Sequence, residues 1–233
     1  MDIIPIKLNL SNAYLIHGEG FSVLVDTGMP GEADKILHVL KESQLPQLDW
    51  IFLTHAHIDH AGSVAALRRA TGARVIIHEG DAQALALGKT LLGDVRGRGQ
   101  LTAWLLPLAE RLFPVEPVEA DNKFYDRYTL QSEPLTIHAI HTPGHTVGSS
   151  SLLVNGQHAF VGDLLTTNGR GHPQRFFAHS WSDLANSIAV LQALRPYFTY
   201  PGHGGKPLDL VGLLALDLVI KQSPREIHGV TGA

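Results

Sequence analysis

Four side chains that bind metals strongly fall within six positions of one segment, Thr54-His55-Ala56-His57-Ile58-Asp59-His60-Ala61-Gly62, directly after an apolar run. A lone histidine in a chain that has 14 of them is ordinarily a surface residue or a satisfied core residue. Packing gives no reason for three histidines and an aspartate in one hexapeptide. His55 and His57 alternate, so an extended segment points both imidazoles the same way, and Asp59 and His60 follow where the chain turns into a helix expected over 61–69. One short loop could then serve two neighbouring metal ions. Nitrogen and carboxylate donors suit zinc, while iron and manganese accept similar sets. The chain has no cysteine, so thiolate sites, disulfides and cysteine nucleophiles are excluded.

The elements that must position this loop repeat one device. A strand over 50–53 delivers the histidine segment, and a strand over 21–25 ends in Asp26-Thr27-Gly28, where an acid can turn back and hydrogen-bond a metal-bound histidine. The strand 135–141 runs into Thr142-Pro143-Gly144-His145-Thr146, a tight bend that fixes where His145 points. The residues 149–154 and 157–161 form a hairpin around Asn155-Gly156, and its second strand ends at Gly162-Asp163, a carboxylate placed where it could bridge two cations. A last strand, 198–200, leads to Pro201-Gly202-His203-Gly204-Gly205. Helices are expected over 32–43, with an apolar face of Ala33, Ile36, Leu37 and Leu40, and over 181–194, capped by Ser180.

Alternating strands and helices, a further strand at 75–78 and no fixed repeat predict one α/β layer domain spanning 1–233. Regularity lapses at 81–117, read as an inserted helical flap with pieces at 82–87 and 101–113, the second kinked by Pro107. Its apolar face, with Trp104 nearby, could cover an active site, pair with a second subunit in a homodimer, or pack on the body. With 233 residues, 44% of them hydrophobic, and a net charge of -4, the chain has ample core and no general attraction to nucleic acid or anionic lipid. The apolar run 210–220 is too short to span a bilayer and reads as a packed terminal helix. The N-terminus carries no export pattern, so a cytoplasmic location is the default expectation.

The series His55-x-His57-x-Asp59-His60, Thr-Pro-Gly-His145-Thr, Val-Gly-Asp163 and Pro-Gly-His203-Gly, with Val-Asp26-Thr-Gly upstream, resembles the metallo-β-lactamase superfamily in order and spacing from about residue 12 to 205. The resemblance implies an αββα sandwich with two divalent metal ions between the sheets. It implies that His55, His57 and His145 hold one metal, that Asp59, His60 and His203 hold the other, that Asp163 bridges them, and that Asp26 stands behind the ligands. Two such cations lower the pKa of a shared water from about 16 towards neutrality, giving a bridging hydroxide that attacks an ester, thioester or lactone carbonyl of a small-molecule substrate. Asp59 would orient it and pass its proton on.

The wording of the motifs is similar to the glyoxalase II-like and lactonase-like branch. Only about thirty residues follow His203, where glyoxalase II has a helical extension, and no tyrosine stands near Asp163 as in the acyl-homoserine lactonases. Substrate-facing candidates are Asn168, Arg170, His172, Arg175 and His179 in the loop 166–179, and Trp104 on the flap. Two other classes share the motif set. One is a mononuclear iron persulfide dioxygenase, separable by metal analysis and oxygen uptake. The other is a noncatalytic metal-binding protein, in which loss of a ligand would be expected.

Overall fold

The computed structural model describes residues 1–18, 20–45, 47–132, 135–167 and 170–217. The chain begins with three strands, β1 (Asp2–Lys7), β2 (Asn12–Gly18) and β3 (Phe21–Val25), then continues through α1 (Ala33–Glu42), β4 (Trp50–Phe52), α2 (Ile58–Ala61), α3 (Val64–Thr71), β5 (Arg74–His78) and α4 (Glu79–Leu87). Next come β6 (Asp94–Val95), α5 (Gly99–Leu112), β7 (Asn122–Phe124), β8 (Arg127–Ser132), β9 (Leu135–His141) and β10 (Ser150–Val154). The described chain closes with β11 (His158–Thr167), β12 (His172–Pro173), β13 (Phe177–Ala178), α6 (Trp181–Leu194), β14 (Phe198–Gly204), β15 (Leu208–Asp209) and α7 (Leu210–Leu214).

One sheet has six strands in the order β1-β2-β3-β4-β5-β7, antiparallel up to β3 and parallel beyond it. The other has the order β15-β14-β11-β10-β9-β8, with β12 on β11, and in it β11 and β14 run parallel. Helical crossovers account for the parallel pairs of the first sheet, because parallel neighbours need a long connection.

Side-chain alternation sets the layers. Leu24, Ile51, Val75 and Ile77 point outward from the first sheet, onto Ile36 of α1, Leu67 of α3 and Leu85 of α4. Val23, Val25, Trp50, Phe52 and Ile76 point the other way, where they meet Ile137, Leu152, Val154 and Phe160 of the second sheet. The outer face of that sheet carries Ile140, Leu153 and Val161 under Leu184, Ile188 and Leu191 of α6. This is the expected αββα sandwich. Each such buried side chain contributes about 1.5–3 kcal/mol, so the loops at the sheet ends stand on a firm frame.

Several local features differ from the sequence reading. The helix expected over 61–69 is two helices, α2 and α3, because the carbonyl of His60 accepts from Thr27 N at 2.7 Å and Thr27 Oγ1 at 2.9 Å instead of serving a continuous helix. Strands β7 and β8 were not expected; β8 is an edge strand with polar residues, and its apolar alternation is weak. Within 81–117, α4 is built into the core through Ala82, Ala84 and Leu85, whereas α5 passes through Pro107 and leaves Leu101, Trp104, Leu108 and Leu112 exposed. Of the apolar run 210–220, α7 covers the start, and residues 218–220 lie outside the described residues. No helix of the described residues is long and apolar enough to cross a membrane.

Candidate metal centre

The loops after β4 and β9, the short helix α2 and the strands β11 and β14 bring five imidazoles and two carboxylates together, His55, His57, His60, His145, His203, Asp59 and Asp163, and the loop after β3 sets Asp26 behind them. Each ring is pinned by one nitrogen. Asp26, in the left-handed region at φ 60°, accepts from Thr54 N at 2.8 Å, from Thr54 Oγ1 at 2.8 Å and from His60 Nδ1 at 2.8 Å. Thr54 Oγ1, its proton directed to Asp26, accepts from His55 Nδ1 at 3.0 Å. His57 Nε2 donates to Leu91 O at 3.1 Å, His145 Nδ1 to Phe177 O at 3.0 Å and His203 Nδ1 to Leu10 O at 2.8 Å. These acceptors fix the orientation of each ring, so the opposite nitrogen of every ring faces the centre and offers a lone pair there once the ring is neutral.

The inward donors form two groups joined by Asp163. In the first, His145 Nε2 lies 3.0 Å from His57 Nδ1, with His55 alongside. In the second, His203 Nε2 is 3.3 Å from His60 Nε2 and 3.3 Å from Asp59 Oδ2. Asp163 Oδ1 lies 3.3 Å from Nε2 of both His60 and His203, and Oδ2 lies 3.6 Å from His145 Nε2. His55 Nε2 is buried without a hydrogen-bond partner, and Asp163 Oδ1 is buried with only the two imidazole nitrogens at 3.3 Å beside it. Such orphans are costly, and facing lone pairs at 3.0 Å repel unless a positive charge sits between them. Nitrogen and oxygen donors so arranged fit a divalent cation of the zinc type at each group.

Electrostatics separates the two groups. Burial, then the neighbouring imidazoles His60, His57 and His145, holds His55 well below the usual histidine range. Burial and His57 bring His145 down to about 4. Around the carboxylates the order reverses. Burial opposes protonation of His60 and His203, but Asp163 and Asp59 prevail, raising His60 well above its usual range and His203 to about 10. Against burial, His60 and His203 keep Asp59 and Asp163 ionised well below the usual carboxylate range.

The profile of the Metallo-beta-lactamase superfamily matches residues 6–203, and with it come the five motif loops just described. The chain belongs to that superfamily. It is 30% identical over 220 residues to a hydroxyacylglutathione hydrolase of Methylobacillus flagellatus, covering 93% of this chain and 71% of that one. It is 26% identical to the atrochrysone carboxyl ACP thioesterase of Aspergillus fumigatus, covering 91% of this chain and 41% of that one. The chain spans 41% to 61% of the length of three curated relatives that it matches. Among solved structures, the BLEG-1 B3 metallo-beta-lactamase superposes with a TM-score of 0.68 at 26% identity, covering 91% of this chain and 95% of that one.

For this superfamily member the donor groups open onto a cavity of ≈ 720 Å³, walled on its apolar side by Leu105, Leu106, Phe176 and Phe177. Of the substrate-facing candidates, His172 and Arg175 line this cavity. Arg170 lines a neighbouring one, which shares His172 and Arg175. Trp104 is 76% exposed and outside the wall; its neighbours Leu105 and Leu106 take that place. His179 is exposed and does not line it, and Asn168 lies outside the described residues.

Sequence reasoning missed the main-chain acceptors Leu10, Leu91 and Phe177, which carry no side-chain signature. It also missed Gln174, whose Nε2 donates to Asp163 Oδ2 at 3.4 Å, and Asp81, buried behind the first group. An acid in the first turn of a helix reads as an ordinary dipole-favoured residue, so only its burial marks it.

Proposed function

We propose that this chain is a hydrolase that holds two divalent cations, zinc being the best match to its donors, and cleaves an ester, thioester or lactone carbonyl. The observation that carries this reading is the pair of donor groups sharing Asp163 at the floor of a cavity with one apolar wall. His55, His57 and His145 would hold one cation, Asp59, His60 and His203 the other, with Asp163 shared. Bound there, the cations would lower the pKa of a water towards neutrality and polarise the carbonyl oxygen.

The remaining work falls to the chain itself. Asp59, kept as a carboxylate by His60 and His203, can accept a hydrogen bond from the attacking water at Oδ2, align it, and hand its proton towards the departing oxygen or sulfur. Ser11 Oγ donates to the Asp59 carbonyl at 2.5 Å, which steadies that residue. Leu105, Leu106, Phe176 and Phe177 would seat an apolar acyl portion and exclude bulk water. His172, pushed down by burial and by Arg175 and Arg170, lines the cavity beside the donor groups. Thioesters stand first in the substrate class because two relatives bear the names hydroxyacylglutathione hydrolase and ACP thioesterase.

The test is metal quantification coupled to a panel of thioesters, lactones, β-lactams and phosphodiesters. The expected result is two equivalents per chain and carbonyl hydrolysis that falls by at least about a hundredfold in Asp59→Ala, with the fold retained. Undiminished turnover in that variant would refute the role of Asp59, and failure of the wild type to take up metal would refute the whole reading.

A further inference from the structure

The first donor group is assembled from two loops that share no element. His55 and His57 come from the loop after β4, His145 from the loop after β9, and the facing nitrogens of His57 and His145 are 88 positions apart in the chain. A backbone bond from Ser150 N to Thr54 O, 2.9 Å, ties the loops at their bases. Nearer the donors a single side chain touches both. Asp81, 5% exposed in the first turn of α4, accepts from Ala56 N at 3.1 Å and Thr146 Oγ1 at 2.8 Å through Oδ2, and from Gly148 N at 2.8 Å through Oδ1. Ala56 lies between His55 and His57, and Thr146 follows His145.

We propose that Asp81 is a positioning residue that sets the spacing of His55, His57 and His145, and so tunes the affinity of that group for its cation. The inference rests on the metal-binding reading above.

The contacts are those of a purpose-built clamp. Among the described residues no Lys, Arg or His forms an ion pair with Asp81, so its charge is met by two backbone N–H groups, a hydroxyl and the N-terminal end of α4. The approach is close enough that a Cβ on Gly148 would stand 2.5 Å from Asp81 N and 2.7 Å from its Cγ, so only glycine admits the carboxylate there. Ser149 Oγ accepts from Thr146 N at 2.9 Å, which locks the far side of the same turn. The second donor group has a different anchor, since Asp26 bonds His60 directly. Asp26 reaches the first group only through Thr54, which orients His55, whereas the hydrogen bonds of Asp81 go to the two loops of the first group alone.

That difference makes the proposal testable by affinity instead of turnover. Zinc affinities of metal-free protein, measured by chelator competition, are compared for wild type and Asp81→Asn in two backgrounds. In His203→Ala, which retains the three-nitrogen group intact, Asp81→Asn should weaken the remaining site by about 10- to 100-fold. In His145→Ala, which retains the second group, it should change affinity by no more than about twofold.

Thr146→Val, which removes one donor and leaves the acid in place, should shift the first group in the same direction by a smaller factor. It covers the case in which Asp81→Asn does not fold. Equal weakening in both backgrounds, or none in either with wild-type zinc uptake intact, overturns the positioning role alone. Absence of zinc uptake by the wild type overturns the metal reading and this inference together.

Discussion

Loading the two donor groups with metal should cost different numbers of protons. His203 is raised to about 10 by Asp163 and Asp59 against its burial, and His60 is raised well above its usual range, so metal-free protein near neutral pH carries protons on both. A cation entering the second group must displace them. His55 and His145, the latter brought down to about 4, are already deprotonated and offer their lone pairs without that cost. For His203 alone the difference between about 10 and a working pH near 7 amounts to about 4 kcal/mol, trimmed by solvent on a side chain that is 29% exposed.

The sign follows from linkage. A raised pKa means that the metal-free form holds the proton until the pH passes that value, so affinity of the second group climbs with pH by about tenfold per unit for each proton displaced. His203→Ala, which keeps the first group, should bind zinc with a nearly flat profile over the same range. Calorimetry in two buffers of different ionisation enthalpy counts the protons directly. Equal proton release by both equivalents, or affinity that falls as pH rises, would refute the electrostatic assignment.

Two substitutions test the framework behind the donors. Asp26→Asn keeps the size of a side chain that is 1% exposed but can turn an amide N–H towards His60 Nδ1. The ring would then carry its proton on the inward nitrogen, and metal affinity of the second group should fall by about 10- to 100-fold, read by the same competition. Gly144→Ala places a Cβ 2.3 Å from Leu184 Cα at a backbone φ of 136°, so urea unfolding should show a loss of about 2–4 kcal/mol.

Much of this arrangement was legible because strands that are buried on both faces read as unbroken apolar runs. Those expected at 21–25, 50–53 and 75–78 announced themselves in that way, and the first two run into Asp26 and His55. The Asn155-Gly156 turn, with φ of 52° and 65°, and the Ser180 cap, accepting from Asp183 N at 3.2 Å, followed from local chemistry. What stayed hidden was set by partners distant in sequence. The break between α2 and α3 depends on Thr27 reaching the His60 carbonyl, and the cavity wall depends on which side of α5 faces inward. Trp104 stood near the apolar face of that helix in sequence, yet Leu105 and Leu106 do the lining.

The choice of histidine as the counter-charge gives the centre its character. Asp26, Asp59 and Asp163 stand 2.8, 3.8 and 3.3 Å, respectively, from a ring nitrogen of His60, and every ion pair they form among the described residues is to His60, His145 or His203. A lysine or arginine in the same space would neutralise the carboxylates permanently, and its charge would repel an arriving cation. Imidazole instead carries positive charge only while it holds a proton, and it becomes a neutral ligand when the proton leaves. At His60 and His203 the same atoms can therefore hold protons beside Asp59 and Asp163 or, once deprotonated, serve as neutral ligands.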